Sequence, residues 1–193
     1  MNKLGLDPAY RYLLFFGFIR SYKGLDLLIE AFADIRLRNR KLKLVIAGEF
    51  YEESKPYMDM VEKYKIGSDI IFFERFINDD EVRNFFGAAD LVVQPYKSAT
   101  QSGVTQIAYH FEKPMLVTDV GGLREIVPDR ICGYVVKPEP GEIADSIVDF
   151  LDNSRNDLFT KNVAQEKKKF SWSKMTDAVI EVFNISKDND NTK

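Results

Sequence analysis

The chain has 193 residues, 45% of them apolar, and a formal net charge of −3. That is enough carbon for one sizeable core, and it gives no overall field that would attract nucleic acid. A single cysteine, Cys132, excludes an internal disulfide and fits a reducing compartment, and with only one histidine a zinc site is not expected. No apolar run is long enough for a transmembrane segment or has the form of a secretory leader, so neither is expected.

Strands and helices then alternate along the chain. Residues 12–16 form a continuous apolar run, as in a strand covered on both faces, and residues 17–24 make the turn after it. Leu25, Leu28, Ile29, Phe32 and Ile35 fall on one face of the next helix. A second strand covers 42–47 and ends at Gly48-Glu49. Pro56 suits the first turn of a helix that runs to about Ile66 and stops at Gly67, because its missing N–H costs nothing there. A third strand at 69–73 precedes a short helix capped by Asn78 or Asp79 that carries Val82, Phe85 and Phe86.

The most informative stretch is 98–122. The strand Leu91-Val92-Val93 enters Gln94-Pro95-Tyr96, where proline stops the ladder, and a small polar loop follows at 98–101. The next helix begins near Ser102-Gly103 and lays Val104, Ile107, Ala108 and Phe111 on the sheet. Its first N–H groups and the positive end of its dipole favour an anion, and Gly103 lets a phosphate approach the backbone; an ordinary capped helix is the plain alternative. A fifth strand at 115–118 delivers Asp119-Val120-Gly121-Gly122 to the same edge, and a sixth covers 133–136. Ile143, Ile147, Val148 and Leu151 mark a further helix, and Trp172, Val179, Ile180 and Phe183 belong to a helical appendage. The basic run at 167–169 reads as a solvated helix face.

Six short apolar strands with returning helices predict an α/β fold: a doubly wound parallel six-stranded sheet, Rossmann-like, over residues 1–186, with a polar disordered tail at 187–193. Ligands on such sheets bind at the carboxyl ends of the strands, near the point where the strand order reverses. The loops at 17–24, 48–53, 74–79, 95–103 and 119–123 all fall on that edge.

Those loops carry a resemblance. Residues 16–24 (Phe-Gly-Phe-Ile-Arg-Ser-Tyr-Lys-Gly), 45–48 (Val-Ile-Ala-Gly), 89–95 (Ala-Asp-Leu-Val-Val-Gln-Pro) and 117–127 (Val-Thr-Asp-Val-Gly-Gly-Leu-Arg-Glu-Ile-Val) occur in the order found in the C-terminal, donor-binding domain of GT-B glycosyltransferases, in particular retaining family 4. Gly103-Val104-Thr105-Gln106 also resembles the corresponding loop of bacterial glycogen and starch synthases. The resemblance implies one half of a two-domain enzyme that moves a hexose from a nucleoside-diphosphate sugar to a hydroxyl with retention. An N-terminal domain before Met1 would hold the carbohydrate or lipid-linked acceptor, so the chain alone is expected to be inactive. It implies a cytoplasmic enzyme, or one peripheral to the inner membrane face at full length, and no metal or cofactor beyond the donor; no Asp/Glu cluster in the sequence suggests one either.

The resemblance assigns Lys23 to the donor diphosphate, where a compact ammonium suits phosphate oxygens; the plain alternative is a solvated loop lysine. Arg20 stands two residues after the place where many members carry arginine and this chain has Phe18, and is either the functional arginine displaced or a surface residue. Gly17, Thr100, Gln101, Ser102, Gly103 and Val104 complete the phosphate and sugar side, with hydroxyl and backbone N–H groups of 102–104 toward the distal phosphate. Arg75, Phe76 and Ile77 occupy the loop where relatives hold the base, although Phe76 could equally be core. Glu49 either reaches the ligand edge or is solvated, Gln106 is either a donor contact alongside Thr100 and Gln101 or solvated, His110 reads as structural and Cys132 as a buried strand-start residue.

Most members also carry two glutamates eight positions apart near the sugar and ribose. Anchoring on Gly103 puts those positions at Thr100 and Ala108, and anchoring on Pro114 puts them at Ala99 and Ile107, so neither register holds a carboxylate. A sugar-nucleotide epimerase or hydrolase, or a non-catalytic nucleotide sensor, would share the domain.

Overall fold

A computed structural model describes residues 2–170 together with 176, 180 and 183. Its centre is a sheet of β1 (Arg11–Phe16), β2 (Leu42–Ala47), β3 (Ile70–Phe73), β4 (Leu91–Gln94), β5 (Met115–Thr118) and β6 (Gly133–Val136). Every pairing is parallel, and the order is β3-β2-β1-β4-β5-β6. The chain winds outward from β1 through β2 to β3, then returns to pair β4 with the other edge of β1. That reversal puts a crevice at the carboxyl ends of β1 and β4.

Seven helices fill the connections among the described residues: α1 (Leu25–Phe32), α2 (Lys55–Tyr64), α3 (Asp79–Ala88), α4 (Gly103–His110), α5 (Leu123–Ile126), α6 (Pro140–Asp152) and α7 (Asn156–Glu166). Alternation along β1 sends Leu13 and Phe15 to a core shared with α1, α2 and α6, and Tyr12, Leu14 and Phe16 to one shared with α3, α4 and α5. Phe159 and Val163 of α7 reach the first and second core respectively. Among the described residues no helix is long and apolar enough to cross a membrane.

The structure departs from the sequence reading in a few places. Ile35 is not on the packed face of α1: the helix ends at Phe32, Asp34 accepts a hydrogen bond from the Arg36 N–H (2.8 Å), and Ile35 stands 77% exposed. α2 ends at Tyr64, where Lys65 adopts a left-handed conformation (φ 55°) and lets Ile66 fold back into the core. Asn78 caps α3 through a reciprocal box with Glu81, and α5 was not anticipated. Of the appendage, Trp172 and Val179 lie outside the described residues, as does the tail at 187–193, while Ile180 and Phe183 are exposed. The 167–169 lysines are on the surface: Lys167 pairs with Glu112 (3.2 Å), Lys168 bonds Gln165 (2.8 Å) and Lys169 pairs with Glu166.

Phe86 ties α3 to this frame. It is fully buried, edge-on to Phe16 (centroids 5.0 Å) and stacked on Phe111 (5.6 Å). Phe86→Ala is expected to lower stability by about 3–5 kcal/mol, through lost transfer energy and a residual cavity, and a urea denaturation curve would measure it.

Candidate functional site

One wall of the crevice is the turn after β1. Gly17 has φ +94°, which favours glycine, and a Cβ there would crowd the Lys23 ammonium at 3.2 Å and touch a Val104 methyl at 3.7 Å. Buried Ile19 then pins the loop to the strand-2 side, with its N–H on the Glu49 carbonyl (2.8 Å) and its carbonyl accepting from Tyr51 (3.1 Å). Ser21–Lys23 form a 3-10 turn whose start is held by Glu52, which accepts from both the N–H and the hydroxyl of Ser21 (3.2 Å each). The Lys97 N–H donates to the Tyr22 carbonyl (2.7 Å) and ties this wall to the loop after β4.

The turn folds Lys23 inward. Its side chain is buried, with the ammonium 5.8 Å from the centre of the Tyr96 ring. Burial, assisted by the Arg20 charge, lowers its pKa to about 8. Among the described residues no carboxylate pairs with it.

The opposite wall starts at the end of β4. Gln94 is buried and accepts from the Thr105 hydroxyl (3.0 Å), which fixes α4 against the strand. The Thr118 hydroxyl of β5 donates to the Tyr96 carbonyl (2.5 Å). Behind the 98–101 loop lies the Gly121-Gly122 turn. The Gly122 N–H donates to the Thr100 carbonyl (3.0 Å), and a side chain on Gly121 (φ +52°) would land inside the Ala99 carbonyl. Ser102 then opens α4 without capping it, and the first turn of α4 carries no acidic side chain.

These walls enclose a cleft of about 730 Å³. Gly17, Lys23, Thr100, Gln101, Ser102, Gly103 and Val104 all line it, and among the described residues no carboxylate does. A buried cation and the positive end of an eight-residue helix therefore face the same space. A smaller cavity of about 180 Å³ adjoins it, sharing Phe16, Gly17, Phe18 and Ile107 and bounded by Gly48, Glu49, Phe76 and Ile77.

Other assignments change. Lys23 is not a solvated loop lysine, and Phe76 is not core: it is 55% exposed and lies 6.2 Å from Phe18, which itself meets Tyr51 edge-on at 4.7 Å. Arg20 is exposed and does not line the cleft; its guanidinium lies over the Tyr51 ring (4.7 Å) and acts on Lys23 through its charge. Arg75 lines neither cavity, because both its terminal nitrogens are committed to Glu81 (2.6 and 2.7 Å), whose carboxyl the pair holds at about 2. The Ser102 hydroxyl points at the Tyr96 hydroxyl (3.2 Å). Gln106 and His110 are exposed, Glu49 is exposed on the rim of the second cavity, and Cys132 is buried with its thiol pushed up to about 11.

Of the two glutamate registers, Thr100 and Ala99 both line the cleft. Ile107 lies between the two cavities, whereas Ala108 is fully buried. Sequence reasoning missed Tyr22, Tyr96 and Ser98, which also line the cleft; a tyrosine after the proline that ends the switch-point strand was the available signal for Tyr96.

The topology and the cleft define an open α/β sheet with an anion-attracting crevice at its switch point, the architecture of nucleotide-binding domains. The chain belongs to the glycosyl transferases group 1 family, whose profile matches residues 1–170. It has the GT-B architecture and resembles the C-terminal domain of a glycosyl transferase group 1 protein (LpcC) of Francisella tularensis, with a TM-score of 0.78 at 22% identity over 89% of this chain and 91% of that one. It is also similar in fold to Anabaena HepE, solved with UDP and glucose (TM-score 0.76, 19% identity, 95% of this chain and 50% of that one). Among curated proteins it is 31% identical to the lipopolysaccharide 1,2-N-acetylglucosaminetransferase of Salmonella typhimurium, over 90% of this chain and 46% of that protein. It is 28% identical to D-inositol 3-phosphate glycosyltransferase 2 of Catenulispora acidiphila, over 96% of this chain and 45% of that protein. The chain spans about half the length of the curated relatives it matches.

The buried ammonium makes a testable demand. With the folded pKa near 8 and the ordinary lysine value at 10.5, the unfolded chain holds more protons between those two pH values. Lys23 therefore penalises the fold below pH 8, and stability rises with pH through that window as the penalty is relieved. Lys23→Met is expected to be more stable than the parent at pH 7, by an amount on the order of 2–3 kcal/mol. The gap should close as pH approaches 10.5, followed by paired denaturation curves at each pH.

Proposed function

We propose that this chain is the donor-binding half of a retaining glycosyltransferase, which transfers a hexose from a nucleoside-diphosphate sugar to a hydroxyl acceptor. The observation that carries this reading is the carboxylate-free cleft in which buried Lys23 faces the uncapped N-terminus of α4. A diphosphate there would meet the ammonium on one side and the N–H groups of the first turn on the other. The same groups stabilise charge that grows on the leaving diphosphate as the glycosidic bond breaks, which is catalysis by preorganised donors. Arg20, outside the cleft, adds long-range positive potential. The base would lie in the adjoining cavity against Phe76 and Ile77. HepE, of the same fold, is described bound to UDP, which supports the donor class.

In this reading the acceptor, a carbohydrate or a lipid-linked sugar, is supplied by a partner N-terminal domain, and the enzyme works in the cytoplasm or at the inner membrane face. The chain by itself binds donor and transfers no sugar.

Calorimetric titration with UDP and GDP tests the assignment: one of them should bind, and binding of neither would remove it. Each charged hydrogen bond to phosphate contributes about 1.5–3 kcal/mol. Replacing both Arg20 and Lys23 with Ala should therefore weaken affinity by roughly two orders of magnitude or less, with Lys23 the larger share because Arg20 stands outside the cleft. The neutral side chains of Ala99, Thr100 and Gln101 on the sugar side predict a further result. A nucleoside diphosphate and its hexose conjugate should bind within about tenfold of each other, or 1.4 kcal/mol. A hundredfold preference for one conjugate would mean a charged or multiply bonded sugar site that these residues do not supply.

A further inference from the structure

We propose that Tyr96 is a positioning residue that sets the two positive elements of the cleft, the Lys23 ammonium and the N-terminus of α4, and keeps that helix end open for an anion. The proposal rests on the donor-site reading above and assigns a role to a residue on which that reading does not depend.

Tyr96 is only 3% exposed and is held from several directions. Its carbonyl accepts from Thr118 of β5, and the Tyr22 ring packs edge-on against its own at 6.3 Å. Its face lies 5.8 Å from the Lys23 ammonium, so the ring both shields that charge from water and attracts it. Its hydroxyl lies 3.2 Å from the Ser102 hydroxyl. Burial pushes the phenol up to about 12, so it stays neutral at physiological pH.

The contact with Ser102 has a consequence for α4. A serine at a helix N-cap ordinarily turns its oxygen onto the N–H groups of the first turn. Ser102 has the extended backbone of such a cap (φ −136°, ψ 121°), yet it makes no side-chain cap bond. Its hydroxyl is engaged by Tyr96 instead, the Thr105 N–H bonds the Ser102 carbonyl (3.2 Å), and no side chain caps the Gly103-Val104 end of α4 that lines the cleft. One side chain thus orients the lysine with its ring and withholds the capping hydroxyl with its phenol.

The two functions separate by substitution. Tyr96→Phe keeps the ring and frees Ser102 to cap α4, so affinity for whichever of UDP and GDP the parent binds should fall about three- to tenfold, within the range of one capping interaction. In the Ser102→Ala background, where no hydroxyl can cap, the same Tyr96→Phe change should cost less than twofold. A residue that merely fills the core would give equal losses in both backgrounds, and that equality would overturn the proposal. Unchanged affinity in Tyr96→Phe would overturn it as well.

The ring is tested without any ligand, through the pH dependence of amine-reactive labelling at Lys23. The groups facing that ammonium are Arg20 from its own turn, the Tyr22 and Tyr96 rings, Gly17 and Val104. The labelling midpoint should stay near 8 in Tyr96→Phe and move upward in Tyr96→Leu, as water reaches the charge. An unmoved midpoint in a folded Tyr96→Leu protein would overturn the ring's part. Failure of the parent to bind either UDP or GDP, with the labelling shifts as expected, would instead remove the donor-site reading and leave Tyr96 as the residue that sets Lys23.

Discussion

An ammonium buried without a counter-charge is the constraint around which this domain is arranged. Removing a lysine charge from water is costly, and the lowered proton affinity of Lys23 expresses that cost. Among the described residues no carboxylate relieves it. The fold places the positive end of α4 across the same cleft, and Arg20 adds a third positive charge nearby. Such an arrangement is unfavourable by itself and becomes favourable once an anion enters, so the strain is stored where a ligand would release it. Gly17 makes the geometry possible, because any larger residue would contest the space that the ammonium occupies.

Topology explains why those two groups meet although about eighty residues separate them. β1 and β4 are neighbours only because the winding reverses between them, and the turn after each strand rises at the same crevice. Each wall is then braced from behind: the 17–24 loop by Ile19 and Glu52, and the 98–101 loop by the Gly121-Gly122 turn. The second cavity is built differently. Phe18 and Phe76, both exposed and 6.2 Å apart, bound it, and Tyr51 packs edge-on against Phe18 with the Arg20 guanidinium over its own ring.

The strands were legible because each is a short apolar run closed by Gly, Pro or a polar residue. The predicted limits of β2, β5 and β6 coincide with those observed, and β1, β3 and β4 differ by one residue at one end. The phosphate-side loop was legible for a related reason: glycines and a lysine between a buried strand and a helix have few plain structural uses. What periodicity could not give was the partner of each side chain. Arg75 looked available until Glu81, six residues on, took its guanidinium, and Ile35 fitted the α1 stripe until Asp34 turned the chain away. Phe76, which could equally have been core, is exposed, and Tyr96, for which the pattern set no environment, is buried. Both outcomes depend on where neighbouring loops lie, which no local pattern encodes.

The structure also bears on the two registers in which a glutamate pair could have been sought. A carboxylate at position 108 would sit in the apolar core under β4 and β5 with no cation to meet it, at a cost of several kcal/mol unless it took up a proton. At position 107 it would face the seam between the two cavities, within the positive potential of the cleft. Position 108 is closed off from the cleft, and of the two only position 107 opens on it. A negative charge there would favour the protonated ammonium and draw Lys23 back toward its ordinary value. With isoleucine in its place the cleft keeps one sign of charge throughout, and the whole of its attraction is left for an incoming anion.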